Sequence, residues 1–183
     1  MKQSKHVIRA WMVLGFTATL LMAAQSAMAL DAAYSRKGPF TGIGFGGGGA
    51  VIMNEDTAGA GDLALNLQLG LGASEKLTVS LNLDNRLQIG NDLAQGMIVP
   101  GPRFAIFLSK NLYISAGVGL ALAISAEPNN DNAVGMDAGL SVGYEHFVNT
   151  NIAAYISGGV EYFLLNEASD TMVFMLGLGI RYY

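Results

Sequence analysis

Cysteine is absent from this chain, which excludes a disulfide scaffold, a thiolate metal site and attachment of a lipid through an N-terminal cysteine. Charge is scarce as well: Asp, Glu, Lys and Arg make up 13% of the 183 residues, against a hydrophobic share of 51%. A chain this apolar does not stay disordered, and one this thinly charged makes a poor soluble surface. The length points to one domain. Histidine occurs twice, and only His146 lies beyond the N-terminal segment, so little imidazole is at hand for acid–base or metal chemistry.

That segment has three parts. Lys2, Lys5 and Arg9 carry positive charge, Trp11 to Ala24 is apolar, and Ala27-Met28-Ala29 supplies small residues around a cleavage point. The pattern is that of a secretory signal peptide, and the apolar run is short for a membrane-spanning helix, which needs about 20 residues. Residues 1–29 are therefore expected to be removed on export, leaving a polar lead-in at 30–39, which reads as a tether, and a barrel domain at 40–183. Cleavage takes away three of ten basic residues and none of the fourteen acidic ones; seven basic against fourteen acidic leaves a formal charge of −7. Nucleic acid is not an expected partner.

Beyond the lead-in, apolar residues recur at every second position. In the last run Met172, Phe174, Leu176, Leu178, Ile180 and Tyr182 alternate with Val173, Met175, Gly177, Gly179, Arg181 and Tyr183. In another, Leu63, Leu65, Leu67, Leu69 and Leu71 alternate with Ala64, Asn66, Gln68, Gly70 and Gly72. Only a strand sorts residues in this way. Six further runs follow the rule at 41–53, 77–86, 98–108, 112–125, 134–145 and 152–163, for a count of eight. Asn54 to Asp62, Gln88 to Gly96, Glu127 to Asn132 and Leu165 to Asp170 read as longer connections, whereas Ala73 to Lys76, Ser109 to Asn111 and His146 to Asn151 read as tight turns. Pro100 and Pro102 cannot donate to a ladder, so a position near a rim, where a bulge already breaks pairing, is expected.

Alternation alone does not say which face is inside, since a soluble lipocalin-type barrel alternates too. Composition decides. With the leucines inside, the wet surface would be Ala, Gly, Ser and Asn with few charges, far below the roughly 25–35% charged residues usual for soluble surfaces. With the leucines against lipid, no charged residue falls on the apolar parity of any strand. The reading is an all-β, eight-stranded, antiparallel, up-and-down transmembrane barrel, closed because an open edge in hydrocarbon leaves N–H and C=O groups unpaired. An even strand count puts both ends on the periplasmic side and the longer, acidic loops outside. The lumen then receives Asp84, Arg86, Arg103, Asp137 and Glu161 in its outer half, and Glu145 and Arg181 toward the periplasm. Buried charges must be paired, so a network joined by Asn66, Gln68 and Asn82 is expected, in space left by inward glycines. Tyr144, Phe147, Tyr155, Tyr182 and Tyr183 gather near periplasmic strand ends, as an interfacial aromatic girdle would.

With these residues in view, the chain resembles the small eight-stranded outer-membrane barrels of the OmpA, OmpX and OmpW type over its whole mature region. Gly177-Leu178-Gly179-Ile180-Arg181-Tyr182 is similar to the terminal strand that the outer-membrane insertion machinery reads in that group, although Tyr183 extends one residue beyond the usual closing aromatic. The resemblance implies a bacterial outer-membrane location, contact with outer-membrane lipids, insertion through the C-terminal strand and a monomer.

Other motifs carry less. Gly42-Ile43-Gly44-Phe45-Gly46-Gly47 fits a dinucleotide-binding G-x-G-x-x-G, but no helix follows and the run continues as a strand. Asn129 to Asn132 offers oxygens without the glycine and distal glutamate of a calcium loop. His146 falls in a predicted turn, with no serine at the spacing that lipid-modifying barrels use. No catalytic, cofactor-binding or metal residue is assigned, and no cofactor. The expected function is structural or surface-interacting, with a lumen filled by side chains; the alternatives are a narrow channel for small solutes and, after that, a lipid-modifying enzyme.

Overall fold

The computed structural model describes residues 34–53, 58–90, 94–125, 132–166 and 170–183. The cleavage point, the first four residues of the lead-in and the connections at 54–57, 91–93, 126–131 and 167–169 lie outside the described residues. Eight strands follow in order: β1 (Gly38–Met53), β2 (Ala58–Ser74), β3 (Leu77–Gly90), β4 (Ala94–Phe107), β5 (Leu112–Ser125), β6 (Ala133–Phe147), β7 (Ile152–Leu165) and β8 (Asp170–Tyr182). Each pairs antiparallel with its sequence neighbours, and β1 pairs with β8, from Thr41 opposite Tyr182 to Met53 opposite Asp170, so the sheet closes into a barrel. The G-x-G-x-x-G run lies inside β1.

Parity sorts the side chains as the leucine pattern requires. Leu69 and Leu178 are each 62% exposed on the outer wall, while Glu145 and Phe163 are 0% exposed inside. Outward Ile43, Phe45, Leu81, Phe104, Leu120, Leu140 and Leu176 belong to one girdling apolar surface. A soluble monomer rarely exposes apolar patches larger than a few hundred Å²; a wall of this kind fits acyl chains.

Three short turns join the strands at one end of the barrel. Ser74 Oγ accepts from the Lys76 amide at 3.2 Å, Ser109 Oγ from the Leu112 amide at 3.1 Å, and Asn149 Oδ1 from the amides of Asn151 and Ile152 at 2.9 and 2.8 Å. Ser and Asn serve here because a short side-chain oxygen can replace a backbone acceptor in a turn.

Two expectations change. Asp62 and Gln88, read as loop, lie in β2 and β3, and both are 1% exposed. Polar residues at strand ends look like loop in the sequence, but their parity turns them into the lumen. Pro100 and Pro102 sit in the middle of β4, not at a rim. Pairing of β4 with β3 runs through both, whereas pairing with β5 lapses between Ile98–Leu122 and Arg103–Gly117 without changing register. Residues two apart on a strand address the same neighbour, so the two missing N–H groups fall together on the β5 edge. A break in pairing is present, but it lies deep in the strand and carries no bulge.

Placing a charge on the outer wall tests the face assignment. Leu120→Arg, near the middle of β5, is expected to lower unfolding free energy by about 2–4 kcal/mol in urea titrations of the lipid-folded protein. Loss below 1 kcal/mol, on the order of an interfacial site, would contradict a lipid-facing Leu120.

Candidate functional site

The lumen is built from long side chains set opposite glycines. On adjacent strands Tyr155 faces Gly179, Tyr113 faces Gly143, Arg103 faces Gly117, Asp137 faces Gly119 and Glu161 faces Gly139. A Cβ at Gly179 would stand 2.6 Å from Cζ of Tyr155, and one at Gly139 2.6 Å from Cγ of Glu161. Each glycine therefore yields the space its partner fills, which is how eight staves hold aromatic and charged groups without swelling.

From one end to the other these groups form a continuous polar chain. Glu145 of β6 is its hub near the short turns: Oε1 accepts from Nε of Arg36 at 2.7 Å, Oε2 from Nη1 of Arg181 at 2.5 Å, and the Tyr183 hydroxyl donates at 3.0 Å. Arg181 Nε donates to Gln68 Oε1 at 2.9 Å, and Gln68 Nε2 donates to Asn66 Oδ1 at 2.6 Å. Asn66 then donates to Asp84, which lies 3.7 Å from Nη2 of Arg103. Arg103 donates to Glu161 at 2.7 Å, Glu161 also takes Arg86, and Arg86 Nη1 reaches Asp62 at 2.9 Å. Bonds from β3 and β4 to Glu161 of β7, and from β8 to Glu145 of β6, tie separate walls together across the bore. The expected network of Asp84, Arg86, Arg103, Glu161, Glu145 and Arg181, joined by Asn66 and Gln68, is present. Asn82 is inside but bonds only to Ser80, and Asp137 makes no ion pair within 4.0 Å.

Two members escaped sequence reasoning. Asp62 was hidden by its loop-like surroundings. Arg36 belongs to the segment read as a tether, yet it is 4% exposed. Residues 34–37 lie across the short-turn end as a strap: Arg36 stacks 3.8 Å from the Phe107 ring centroid and donates to the Lys110 carbonyl at 2.5 Å, while Tyr34 stacks on Phe147 at 4.4 Å. Gly38, with φ +108°, turns the strap into β1, and Gly72 lets the Arg36 carbonyl approach where a Cβ would collide. The only available signal was an arginine followed by lysine, glycine and proline, which specifies no burial.

The aromatic girdle is a second correction. Tyr182 is 57% exposed and Tyr144 is half-buried on the outer parity, but Phe147 and Tyr155 are buried inside, and Tyr183 packs 5.1 Å from Phe40 and 5.3 Å from Phe147. Sequence proximity to a strand end cannot separate an interfacial ring from a plug; parity can. His146 lies at the end of β6, half-buried on the outer parity, rather than in a turn.

Between these groups the bore holds voids of about 40, 20 and 10 Å³, each room for at most a few waters. Among the described residues, no group of three or more His, Cys, Asp or Glu side chains converges to hold a metal ion.

Two predictions follow from this geometry. Glu145→Ala leaves Arg36 and Arg181 buried without their carboxylate, so a loss of about 3–5 kcal/mol is expected in urea unfolding, partly recovered when Arg36→Ala is added; equal stability of wild type and the single variant would remove Glu145 from its place as hub. In the turn between β2 and β3, the Ser35 hydroxyl holds the Glu75 carboxyl below its ordinary value against a smaller opposing desolvation, with the Arg36 amide helping. A lowered carboxyl contributes above its unfolded value and loses that contribution as pH falls through the folded one. Strap amides are thus expected to gain hydrogen-exchange protection as pH rises through the carboxylate range, after correction for intrinsic rates, and Glu75→Gln is expected to remove that gain.

No protein-family model matches this sequence, and no curated protein matches it. Solved structures do. The Neisserial surface protein A superposes with a TM-score of 0.60 at 12% identity, over 80% of this chain and 99% of that one. Ail, the attachment invasion locus protein of Yersinia pestis, superposes with a TM-score of 0.50 at 15% identity, over 80% and 99% respectively. At such identities the likeness is one of fold, and with the closed ring of eight strands it makes this chain a small up-and-down β-barrel of the kind found in bacterial outer membranes.

Proposed function

We propose that the protein is an integral barrel of a bacterial outer membrane, exported by cleavage after Ala29, inserted through β8, and acting as a monomeric structural or surface-interacting element rather than as a pore or an enzyme. The observation that carries this reading is the polar chain from Arg36 to Asp62, which fills the bore with buried ion pairs and caps it with a strap at the short-turn end. Conduction would require separating these buried ion pairs, a cost of several kcal/mol for each ion. The apolar wall supports the lipid environment, and the short-turn end, where β1 begins and β8 ends, supports a periplasmic orientation for both.

A narrow channel is the second reading. It is favoured by one feature: Arg103 is the least buried of the lumenal guanidiniums, and both larger voids touch it. Planar-bilayer recording of the purified protein separates the two. No stable open level is expected from wild type, with brief openings from Arg103→Ala; a long-lived open state in wild type would overturn the closed-lumen reading. Fractionation with outer membranes, together with slowed migration after boiling on cold gels, is expected as well, and recovery in the soluble periplasm would reverse the assignment of faces.

A further inference from the structure

Beyond residue 29 the sequence has seven basic residues, and the barrel sorts them by type. The four arginines, Arg36, Arg86, Arg103 and Arg181, face carboxylates in the bore. The three lysines, Lys37, Lys76 and Lys110, are exposed, and all stand at the short-turn end. No lysine or arginine occurs in the sequence between β1 and β2, β3 and β4, β5 and β6 or β7 and β8. A guanidinium fork suits a buried carboxylate, whereas an ammonium is a compact, strongly hydrated charge on a flexible apolar stem, suited to a boundary between oil and water.

The lysines are gathered on one side of the rim. The Arg36 amide donates to Glu75 Oε2 at 3.2 Å and its guanidinium to the Lys110 carbonyl at 2.5 Å. The strap that carries Lys37 therefore lies against both the turn that carries Lys76 and the turn that carries Lys110. Lys110 Nζ stands 4.9 Å from the ring centroid of Tyr34 on that strap, and the Lys37 amide is held by Ser35 Oγ at 3.1 Å. One carboxylate shares the sector, Glu75, which takes the Ser35 hydroxyl at 2.6 Å. Among the described residues, three ammoniums against one carboxylate leave a positive surplus here. The third short turn, Val148 to Asn151, has no Asp, Glu, Lys or Arg, and the chain's terminal residue lies on that side, its amide donating to the Asn151 carbonyl at 2.7 Å.

The outer wall runs up to the basic sector. Leu71 of β2, Ile106 of β4 and Leu108 just after it are exposed, and Leu77, next to Lys76, pairs with Ile106. Acyl chains that cover these side chains end at the rim, which sets their headgroups within reach of the lysine stems. A zwitterionic headgroup brings no net charge to such a patch; an anionic one attracts every lysine near it.

We infer that this sector of the rim binds anionic phospholipid headgroups, the ammoniums of Lys37, Lys76 and Lys110 meeting phosphate while Leu71, Ile106 and Leu108 lie along the acyl chains. The inference rests on the outer-membrane reading above and names the lipid partner of that barrel. Contact of this kind holds the short turns and the strap at the leaflet they face.

The test uses the mature chain, residues 30–183, folded into phosphatidylcholine vesicles, with folding scored on cold gels. Failure of wild type to fold there would remove the outer-membrane reading itself, before any charge is varied. Trace spin-labelled phosphatidylglycerol and phosphatidylcholine with matched chains then report which lipid is motionally restricted at the barrel wall. Phosphatidylglycerol is expected to be favoured by about twofold. That preference is expected to vanish in about 1 M sodium chloride, where the screening length falls to about 3 Å, and in the triple variant Lys37→Gln, Lys76→Gln, Lys110→Gln. Equal restriction of the two lipids by folded wild type would overturn the proposal, as would a preference that survives in the triple variant. Should the triple variant fail to fold, the salt titration of wild type decides: loss of the preference supports the site, and persistence refutes it. Co-sedimentation with isolated peptidoglycan, abolished by the same substitutions and unaccompanied by a lipid preference, would assign the lysines to a cell-wall polymer and overturn the proposal equally.

Discussion

Backbone amides in hydrocarbon have no water to turn to, and the continuous ring of antiparallel ladders is what makes the rest of this molecule possible. Because β1 pairs with β8 along the full length of β8, the described strands leave no lipid-exposed edge, and because the ring is closed, each strand has one wet or packed side and one greasy side. Among the described residues, the ladder between the middles of β4 and β5 lapses where two prolines share one edge. Such a defect is tolerable only beside polar company, and Asn82, Asp84 and Asp137 supply it from the lumen.

Closure leaves a bore that must be filled. Eight strands give an interior only just wide enough for side chains, so every large lumenal group needs a small one beside it. That is the physical content of the glycines opposite Tyr113, Tyr155, Arg103, Asp137 and Glu161. Glu145 then does for the short-turn end what Glu161 does deeper in: one carboxylate accepts two guanidiniums from different elements. The strap adds a contact that no strand could supply, since Arg36 approaches along the axis rather than from a wall.

Most of this was legible because the period of two is unambiguous and because, apart from Asp170 at the first position of β8, charge does not appear on the apolar parity of the described strands. Leu63 to Leu71 and Leu112 to Ile124 told strand from helix and outside from inside in one reading. What escaped had a common cause: near the strand ends, parity continues while hydrophobicity stops. Asp62 and Gln88 looked like loop because a lumen hides polar residues as well as water does. Phe147, Tyr155 and Tyr183 looked like a girdle because aromatics at a strand end serve either purpose, and only the phase of the pleat separates them. Arg36 could not have been found, because its burial depends on Glu145, 109 residues away, and no local pattern encodes that pair.

An apolar filling would have plugged the bore as well, and replacing buried ion pairs by packed apolar groups often costs nothing in stability. The reason to keep charges lies in register. A strand whose two faces are both apolar can slip by one residue with little penalty, whereas a slip here turns every lumenal side chain toward lipid. For β8, that slip would carry Arg181 to the outer wall and Tyr182 inward; for β3, it would expose Asp84 and Arg86 together. Each arginine placed against acyl chains costs up to about 2–4 kcal/mol at the midplane, so the charged lumen penalises misregistered pairings far more than it favours the native one. The network is therefore better understood as a device that selects one pairing of eight similar strands than as a source of net stability, and the glycines opposite its members make that selection sterically as well as electrostatically sharp.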